Sequence, residues 1–213
     1  MTQTDFTSFD FADLSARDRY KLLIGTVVPR PIAWVTTLDA EGRVNAAPFS
    51  FFNVLSADPA ILAIGVENHE DGSFKDTARN IRDLGEFTVN IVDHANIDAM
   101  NITAIAFPPG VDELQQAGLT ACPGTHVKTP YIAQAPVALE CRRYMTLEIS
   151  RSRAIVLGQV VAMHVRSGLV DDRLHVDGVG LDALGRMGGQ GYSRSNGVFD
   201  LPTIRLDDWQ GRG

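Results

Sequence analysis

The sequence lacks an apolar segment long enough to cross a bilayer, which takes roughly 20 residues. Its longest uncharged stretches, such as residues 44–57, are too short and too polar for this. The first 14 residues contain neither a basic region nor a long apolar one, so they do not resemble a secretory signal. We therefore expect a cytoplasmic protein with no membrane partner.

Basic residues are in deficit. The 213 residues include 19 Lys and Arg against 26 Asp and Glu, which gives a formal net charge of −7. This is the wrong sign for broad electrostatic contact with nucleic acid, so nucleic acid is not an expected partner. A polyanionic ligand would need a local basic cluster.

Signatures of metal and nucleotide sites are also missing. Cys122 and Cys141 form no CxxC pair and the five histidines stand singly, so we predict two free thiols and no metal site. The patterns GxGxxG, GxxxxGKS/T, HExxH and GxSxG do not occur. The sequence therefore gives no motif support for a Rossmann dehydrogenase, a P-loop kinase or one of the common proteases. The glycine-rich run 185–191 follows no clear strand and is predicted to be a plain loop.

What the sequence does contain is enough apolar material for one sizeable core. It is 45% hydrophobic and 21% charged, a composition that excludes extended disorder. There is no internal repeat and no linker-like tract. We predict one domain over residues 20–206, an N-terminal extension over 1–19 and a C-terminal tail over 207–213.

Short β-branched or alternating segments predict a strand-dominated fold. The predicted strands are residues 32–38, 44–50, 60–66, 86–92, 136–149 and 154–165. Polar turns, one of them containing Gly42 and the other spanning 150–153, join the first two and the last two into β-hairpins. Because strands and helices do not alternate regularly, the pattern favours an antiparallel barrel over a doubly wound sheet.

Helices are predicted between the strands. Ser73-x-x-Asp76 matches a capping box and Gly85 suits a helix stop, so a helix is predicted over 73–84. Residues 94–117 predict a short helix, a loop and a second short helix.

Two segments carry candidate ligand-binding groups. The helix start at 71–80 offers backbone N–H groups, Lys75 and Thr77, which suit a phosphate, although an ordinary capped surface helix has the same pattern. Residues 45–53 interleave Phe with Ser50 and Asn53. This suits either a flat heteroaromatic ligand or a core-facing Phe cluster.

Arginines provide the positive charge that is scarce elsewhere. Arg30 lies between two prolines and is either a preorganised anion clamp or a strand-start arginine. A basic patch is formed by Arg142, Arg143, Arg151 and Arg153. It would either attract a phosphorylated cosubstrate or pair with Glu140 and Glu148.

Taken in order, these motifs resemble the flavin reductase-like family, the flavoredoxin-type proteins with an FMN-binding split barrel. The motifs are VPRPIAWVTT at 28–37, NAAPFSFF at 45–52, KDT at 75–77 with Asn80, and EFTVN at 86–90. The similarity runs from about residue 26 to about residue 204. It implies a mainly β fold: a split, antiparallel, Greek-key-like barrel with a few inserted helices. It also implies a homodimer with FMN at or near the subunit interface.

The resemblance also implies site residues. The flavin ring and ribityl chain would contact Arg30, Pro31, Ile32, Ala33, Thr36, Asn45, Ser50, Phe51, Phe52 and Asn53. The phosphate would be held by Lys75, Asp76 and Thr77. Tyr192 and Arg194, in a Gly-Gly-x-x-Tyr-x-Arg element, would close over the cofactor.

The implied activity is hydride transfer from NAD(P)H to FMN, with the reduced flavin passing electrons to an acceptor or a partner oxygenase. No residue is assigned as a catalytic acid or base. The alternatives are a flavoredoxin-like electron carrier without NAD(P)H activity and a barrel for another phosphorylated or tetrapyrrole ligand. Many relatives carry an Asp-His pair where this sequence has Ser152-Arg153, so no histidine contact to flavin or nicotinamide is carried over.

Overall fold

A computed structural model describes residues 5–108, 110–206 and Trp209. The predicted C-terminal tail, 207–213, lies outside the described residues apart from Trp209, and so do the first four residues of the predicted extension. A helix spans Ala16–Thr26 and so crosses the expected start of the domain at residue 20. The domain boundaries remain predictions.

The described residues form twelve strands, five α-helices and one 3-10 helix. The strands are β1 (Arg30–Pro31), β2 (Ala33–Leu38), β3 (Val44–Phe49), β4 (Phe52–Ala57), β5 (Ala60–Glu67), β6 (Glu86–Ile91), β7 (Ala121–Cys122), β8 (Tyr131–Ile132), β9 (Val137–Ser150), β10 (Arg153–Val165), β11 (Leu184–Arg186) and β12 (Tyr192–Arg194). The helices are α1 (Ala16–Thr26), α2 (Asp76–Leu84), α3 (Ile97–Ile102), α4 (Glu113–Gln116) and α5 (Gly178–Leu181), with the 3-10 helix at His94–Asn96.

Seven strands form one antiparallel sheet in the order β3-β2-β6-β9-β10-β5-β4. Its two edge strands, β3 and β4, follow each other in the chain and are joined only by Ser50 and Phe51, here called the β3–β4 junction. The sheet must therefore curl until its edges meet. The N–H of Gly65 donates to the carbonyl of Phe51 at 2.7 Å, which continues the β4–β5 pairing into this junction. The predicted antiparallel split barrel is confirmed.

The core has two parts because β2 is buried on both faces. Ala33 and Val35 point into the barrel with Phe87 of β6. Trp34 points outwards, under α3 and α4, and its indole Nε1 donates to Thr103 Oγ1 at 2.9 Å. The short helices between β6 and β9 thus cover the outside of the barrel beside β2.

Most predicted elements are confirmed, with three corrections. All six predicted strands form within one or two residues of their expected ends, and α3 and α4 lie within 94–117. Helix α2 begins at Asp76 rather than 73, because Ser73 Oγ donates to Asp71 Oδ1 and caps no helix. The second hairpin has a tighter turn than 150–153, since its strands reach Ser150 and Arg153. The run 185–191 is not wholly loop, because β11 includes its first two residues.

Some elements have no counterpart in the sequence-based prediction. They are α1, β1, β4, α5 and the two-to-three-residue strands β7, β8, β11 and β12. Strand β11 pairs with β1 on one side and with β12 on the other, which sets residues 184–194 against the start of the barrel. Within the described residues, no helix is both long and apolar enough to cross a membrane.

Candidate functional site

Three clefts meet at the β3–β4 junction. The first has a volume of about 700 Å³ and lies between the junction, α3 and the β11–β12 hairpin. The second, about 260 Å³, lies between the junction and the start of α2. The third, about 300 Å³, lies between the junction and the end of α1. Ser50 lines all three, so one residue borders the whole site.

The first cleft has aromatic walls and a polar rim. Tyr20 from α1 and Tyr192 from β12 line it, together with Ile32 before β2. Asn101 of α3 adds an amide, and the guanidinium of Arg186 lies over the Tyr192 ring at 4.4 Å. Its volume is within the roughly 300–1,000 Å³ of small-molecule sites, and its flat walls suit a planar ring.

The second cleft continues from the first past Tyr20 and Ser50, and it carries charge. Lys75 Nζ lies 3.5 Å from Glu67 Oε2, and Arg153 pairs with the other oxygen of the same carboxylate. Burial opposes ionisation of Glu67, but hydrogen bonding and attraction from Arg153 and Lys75 hold its pKa below the ordinary value. The carboxylate is therefore charged at neutral pH.

The third cleft contains Arg30, whose guanidinium mainly fastens the fold. Its Nη1 donates to the carbonyls of Ile24 and Val27, and its Nη2 donates to the carbonyl of Met187. The buried Nε has no hydrogen-bond partner among the described residues. Arg30 thus ties α1 to the β11–β12 hairpin.

The start of α2 offers further donors. Lys75 occupies the N-cap position of α2, but its side chain makes no capping hydrogen bond. In the described part of the chain, the N–H groups of Asp76, Thr77 and Ala78 have no acceptor. The Thr77 hydroxyl accepts from Asn45 Nδ2 at 3.0 Å, which fixes the helix start to the β2–β3 hairpin. Free N–H groups at a helix start suit an anion.

The other predicted contact residues either make contacts within the fold or line the third cleft. Thr36 and Ala33 are fully buried, and the Thr36 hydroxyl donates to the carbonyl of Pro130. Asn53 lines the third cleft, but its Oδ1 accepts from the N–H of Val54. Arg194 is engaged by both carboxylate oxygens of Asp182. Phe52 and Pro31 line the third cleft, and Asp76 pairs with Arg79.

Sequence reasoning did not identify Tyr20, Glu67 or Asn101 as cleft residues, because each comes from a different, distant element. Of the two alternatives for the basic patch, pairing with Glu140 and Glu148 is wrong. Arg142 faces Glu86, Arg153 pairs with Glu67, and Arg151 donates to the carbonyl of Asp71. Glu148 pairs instead with Arg82. The acidic partner of each arginine depends on which strands are neighbours in the sheet, and the local sequence does not reveal this.

Comparison with known proteins gives a consistent result. The sequence profile described as "Flavin reductase like domain" matches residues 24–180. An uncharacterized protein of Deinococcus radiodurans is 44% identical over 211 residues, covering 96% of this chain and 92% of its own.

Solved structures agree over nearly the whole chain. Nitrilotriacetate monooxygenase component B from Bacillus cereus is 32% identical with a TM-score of 0.89, covering 93% of this chain and 100% of its own. A 2-nitrobenzoate 2-nitroreductase from Pseudomonas fluorescens is 35% identical with a TM-score of 0.86, covering 94% and 98%. The flavoredoxin of Desulfovibrio vulgaris, at 22% identity and a TM-score of 0.71 over 84% of this chain and 92% of its own, shares the fold.

Proposed function

Because the chain belongs to the flavin reductase-like family, we propose that it is an FMN-binding oxidoreductase that takes hydride from NADH or NADPH. The reduced flavin would then serve an electron acceptor or a partner oxygenase. The observation that carries this proposal is the set of three clefts around the β3–β4 junction, with the free start of α2 at one end.

The donor set fits a phosphorylated flavin. Arg30 lines the cleft bordered by Ser50 and Phe51, and its buried Nε has no hydrogen-bond partner among the described residues, so a carbonyl oxygen of an isoalloxazine would supply an acceptor. The free N–H groups at the start of α2, with Lys75 beside them, would hold a phosphate. The aromatic side chains that line the first and second clefts would contact the flavin ring.

The protein's own task is to bind and orient. FMN, when bound, supplies the two-electron chemistry. Ser50 and the backbone of the β3–β4 junction would fix the ring, while Tyr20 and Tyr192 restrict its movement and exclude water. Thr77, held by Asn45, would position the phosphate end. No general acid or base is needed among these residues.

We include a homodimer in the proposal. The outer face of the β9–β10 hairpin carries Met145, Leu147 and Ile149, which are 41–60% exposed. Ile155 lies opposite Leu147 and extends the same face. Large contiguous apolar patches mark interaction sites. Gly65, opposite Ile155, also lines the second cleft, so a second copy on this face would border the flavin site.

The proposal is tested by adding FMN to the purified protein and then mixing it anaerobically with NADH or NADPH. We expect saturable quenching of flavin fluorescence on binding. Mixing with one or both nucleotides should then bleach the visible absorbance of the flavin. Binding without bleaching would favour an electron carrier. Absence of flavin binding would reject the proposal.

A Lys75→Ala substitution tests the phosphate assignment. Loss of a charge-assisted contact is expected to weaken FMN binding by about tenfold or more while leaving the fold intact. Equilibrium titration measures this, with Lys21→Ala as a control on an exposed helix face. Unchanged affinity in the Lys75 variant would contradict the assignment.

A further inference from the structure

The second cleft contains two charged residues, Glu67 and Arg153, that have no role in the proposed flavin site, and Lys75, which has one. Glu67 on β5 and Arg153 on β10 are directly opposite in the antiparallel register, and their side chains form an ion pair. Lys75, at the start of α2, approaches the other carboxylate oxygen at 3.5 Å. One carboxylate therefore bridges two cations that come from separate elements.

This bridge is built so that it can open. The three side chains are 41–49% exposed, and ion pairs at such exposure contribute little net stability. Moving the Glu67 carboxylate aside therefore costs little. It would leave Arg153 and Lys75, the N-cap residue of α2, facing the same space.

A phosphate dianion matches that space better than the carboxylate does. It carries more charge and more acceptor oxygens, so it can engage Lys75, Arg153 and the helix start together. The cleft continues past Ser50 and Tyr20 into the first cleft, which leaves room for the rest of a flavin.

We propose that Glu67 is an internal counter-ion that the phosphate of FMN displaces, and that Arg153 acts with Lys75 to select phosphorylated over unphosphorylated flavin. This rests on the proposed function, since it concerns the same ligand. Arg153 is then a specificity-determining residue, and Glu67 weakens FMN binding by competing for both cations.

Two substitutions are expected to act in opposite directions. Arg153→Gln removes a cation and should weaken FMN binding on the order of tenfold. Glu67→Gln removes the competitor and should strengthen FMN binding by roughly threefold or more. Riboflavin, which has no phosphate, should bind both variants as it binds the unmodified protein. Arg153→Lys retains the charge and should recover most of the preference for FMN.

The experiment is fluorescence-quenching titration of FMN and of riboflavin into the unmodified protein and each variant, at low and high salt. The matched control is Arg142→Gln, because Arg142 faces Glu86 across neighbouring strands in the same way but lies away from the clefts. It should change neither affinity. Circular dichroism and urea unfolding verify that each variant is folded.

Opposite shifts in FMN affinity, confined to FMN and reduced by salt, would support the proposal. Equal effects on FMN and riboflavin, or a Glu67→Gln variant that binds FMN no better, would overturn it while leaving the flavin-binding function intact. If the unmodified protein bound neither flavin, the proposed function would fail and this inference with it.

Discussion

Glu140 on β9 is fully buried, yet its carboxylate is surrounded by donors. The N–H groups of Thr125, His126 and Val127 donate to it at 2.6–2.9 Å, and Nε2 of His164 lies 2.6 Å from its Oε1. Burial opposes ionisation of this group, but the hydrogen bonds outweigh it and lower its pKa to about 2. The carboxylate therefore fastens the loop before β8 to the barrel.

Replacing Glu140 with Gln should destabilise the protein by about 3 kcal/mol. An amide cannot accept from all of these donors and leaves some of them buried without a partner. Urea unfolding measures the change in the free energy of unfolding. Glu148→Gln is the control, because its ion pair with Arg82 involves a carboxylate that is 55% exposed, and its loss should cost less than about 1 kcal/mol. Equal losses in the two variants would contradict the role given to Glu140.

The same carboxylate makes the free energy of unfolding depend on pH in the acid range. The pKa of Glu140 falls from an ordinary 4.5 to about 2 on folding, so the unfolded chain binds the proton more readily. The resulting stabilisation, roughly 3 kcal/mol, is complete above about pH 4.5 and is lost as the pH falls towards 2. Unfolding free energies measured across this range should decline less steeply in the Glu140→Gln variant than in the unmodified protein.

Residue types near a strand end or helix start could be recognised from sequence. Ser50, Phe51 and Lys75 all line clefts, as their local patterns suggested. Tyr20 and Glu67 could not be placed, because their position in the site depends on barrel closure rather than on neighbouring residues. Whether the lining residues bind flavin remains a prediction.

At the scale of elements, β6 and β10 meet through one close contact inside the barrel. Phe87 is fully buried, and a Cβ on Gly158 would lie 2.3 Å from the tip of its ring. A buried ring surrounded by core residues cannot move aside cheaply. Glycine at 158 is therefore required by packing rather than by a turn.

A Gly158→Ala substitution should lower the free energy of unfolding by about 1–3 kcal/mol through overpacking. Thermal or urea unfolding tests this. Gly25→Ala is the matched control, because Gly25 lies in α1, where an added Cβ meets nothing within 4 Å. That control should be neutral or stabilise by up to about 1 kcal/mol. Comparable destabilisation in both variants would argue against the Phe87 contact.

Long strands and their hairpins were predictable because each buries a regular set of side chains. Helix α1 was not predicted, and none of its residues, all within the described range, is buried, so no set of core-facing side chains defines it. Strands β11 and β12 have three residues each and form because they pair with neighbouring strands. Such short elements leave no periodic signal.

At the scale of the whole molecule, the described elements cover the outer surface of the barrel unevenly. Helices α3 and α4 pack outside β2 and β3, whereas the outer face of the β9–β10 hairpin has no such cover in the described part of the chain. Sequence patterns alone could not show this, because β9 alternates in the same way whether its outer face meets water or protein.

Leu147→Glu is expected to convert a dimer into a monomer or to weaken it strongly, since it places a charge in the apolar face. Sedimentation velocity measures the oligomeric state. Leu174→Glu is the control, an exposed leucine in a loop outside the barrel sheet. A monomeric unmodified protein, or an unchanged state in the Leu147 variant, would contradict the proposed interface.

The β3–β4 junction has a consequence for how such a protein can diversify. Ser50 borders all three of these clefts and Phe51 borders two of them, and together they join the two edge strands, so a change there alters folding and ligand contacts together. Tyr20, Asn101 and Tyr192 come instead from α1, α3 and β12, which add no strand to the barrel. New substrate preferences can therefore arise by exchanging these outer walls while the closure of the barrel is left untouched.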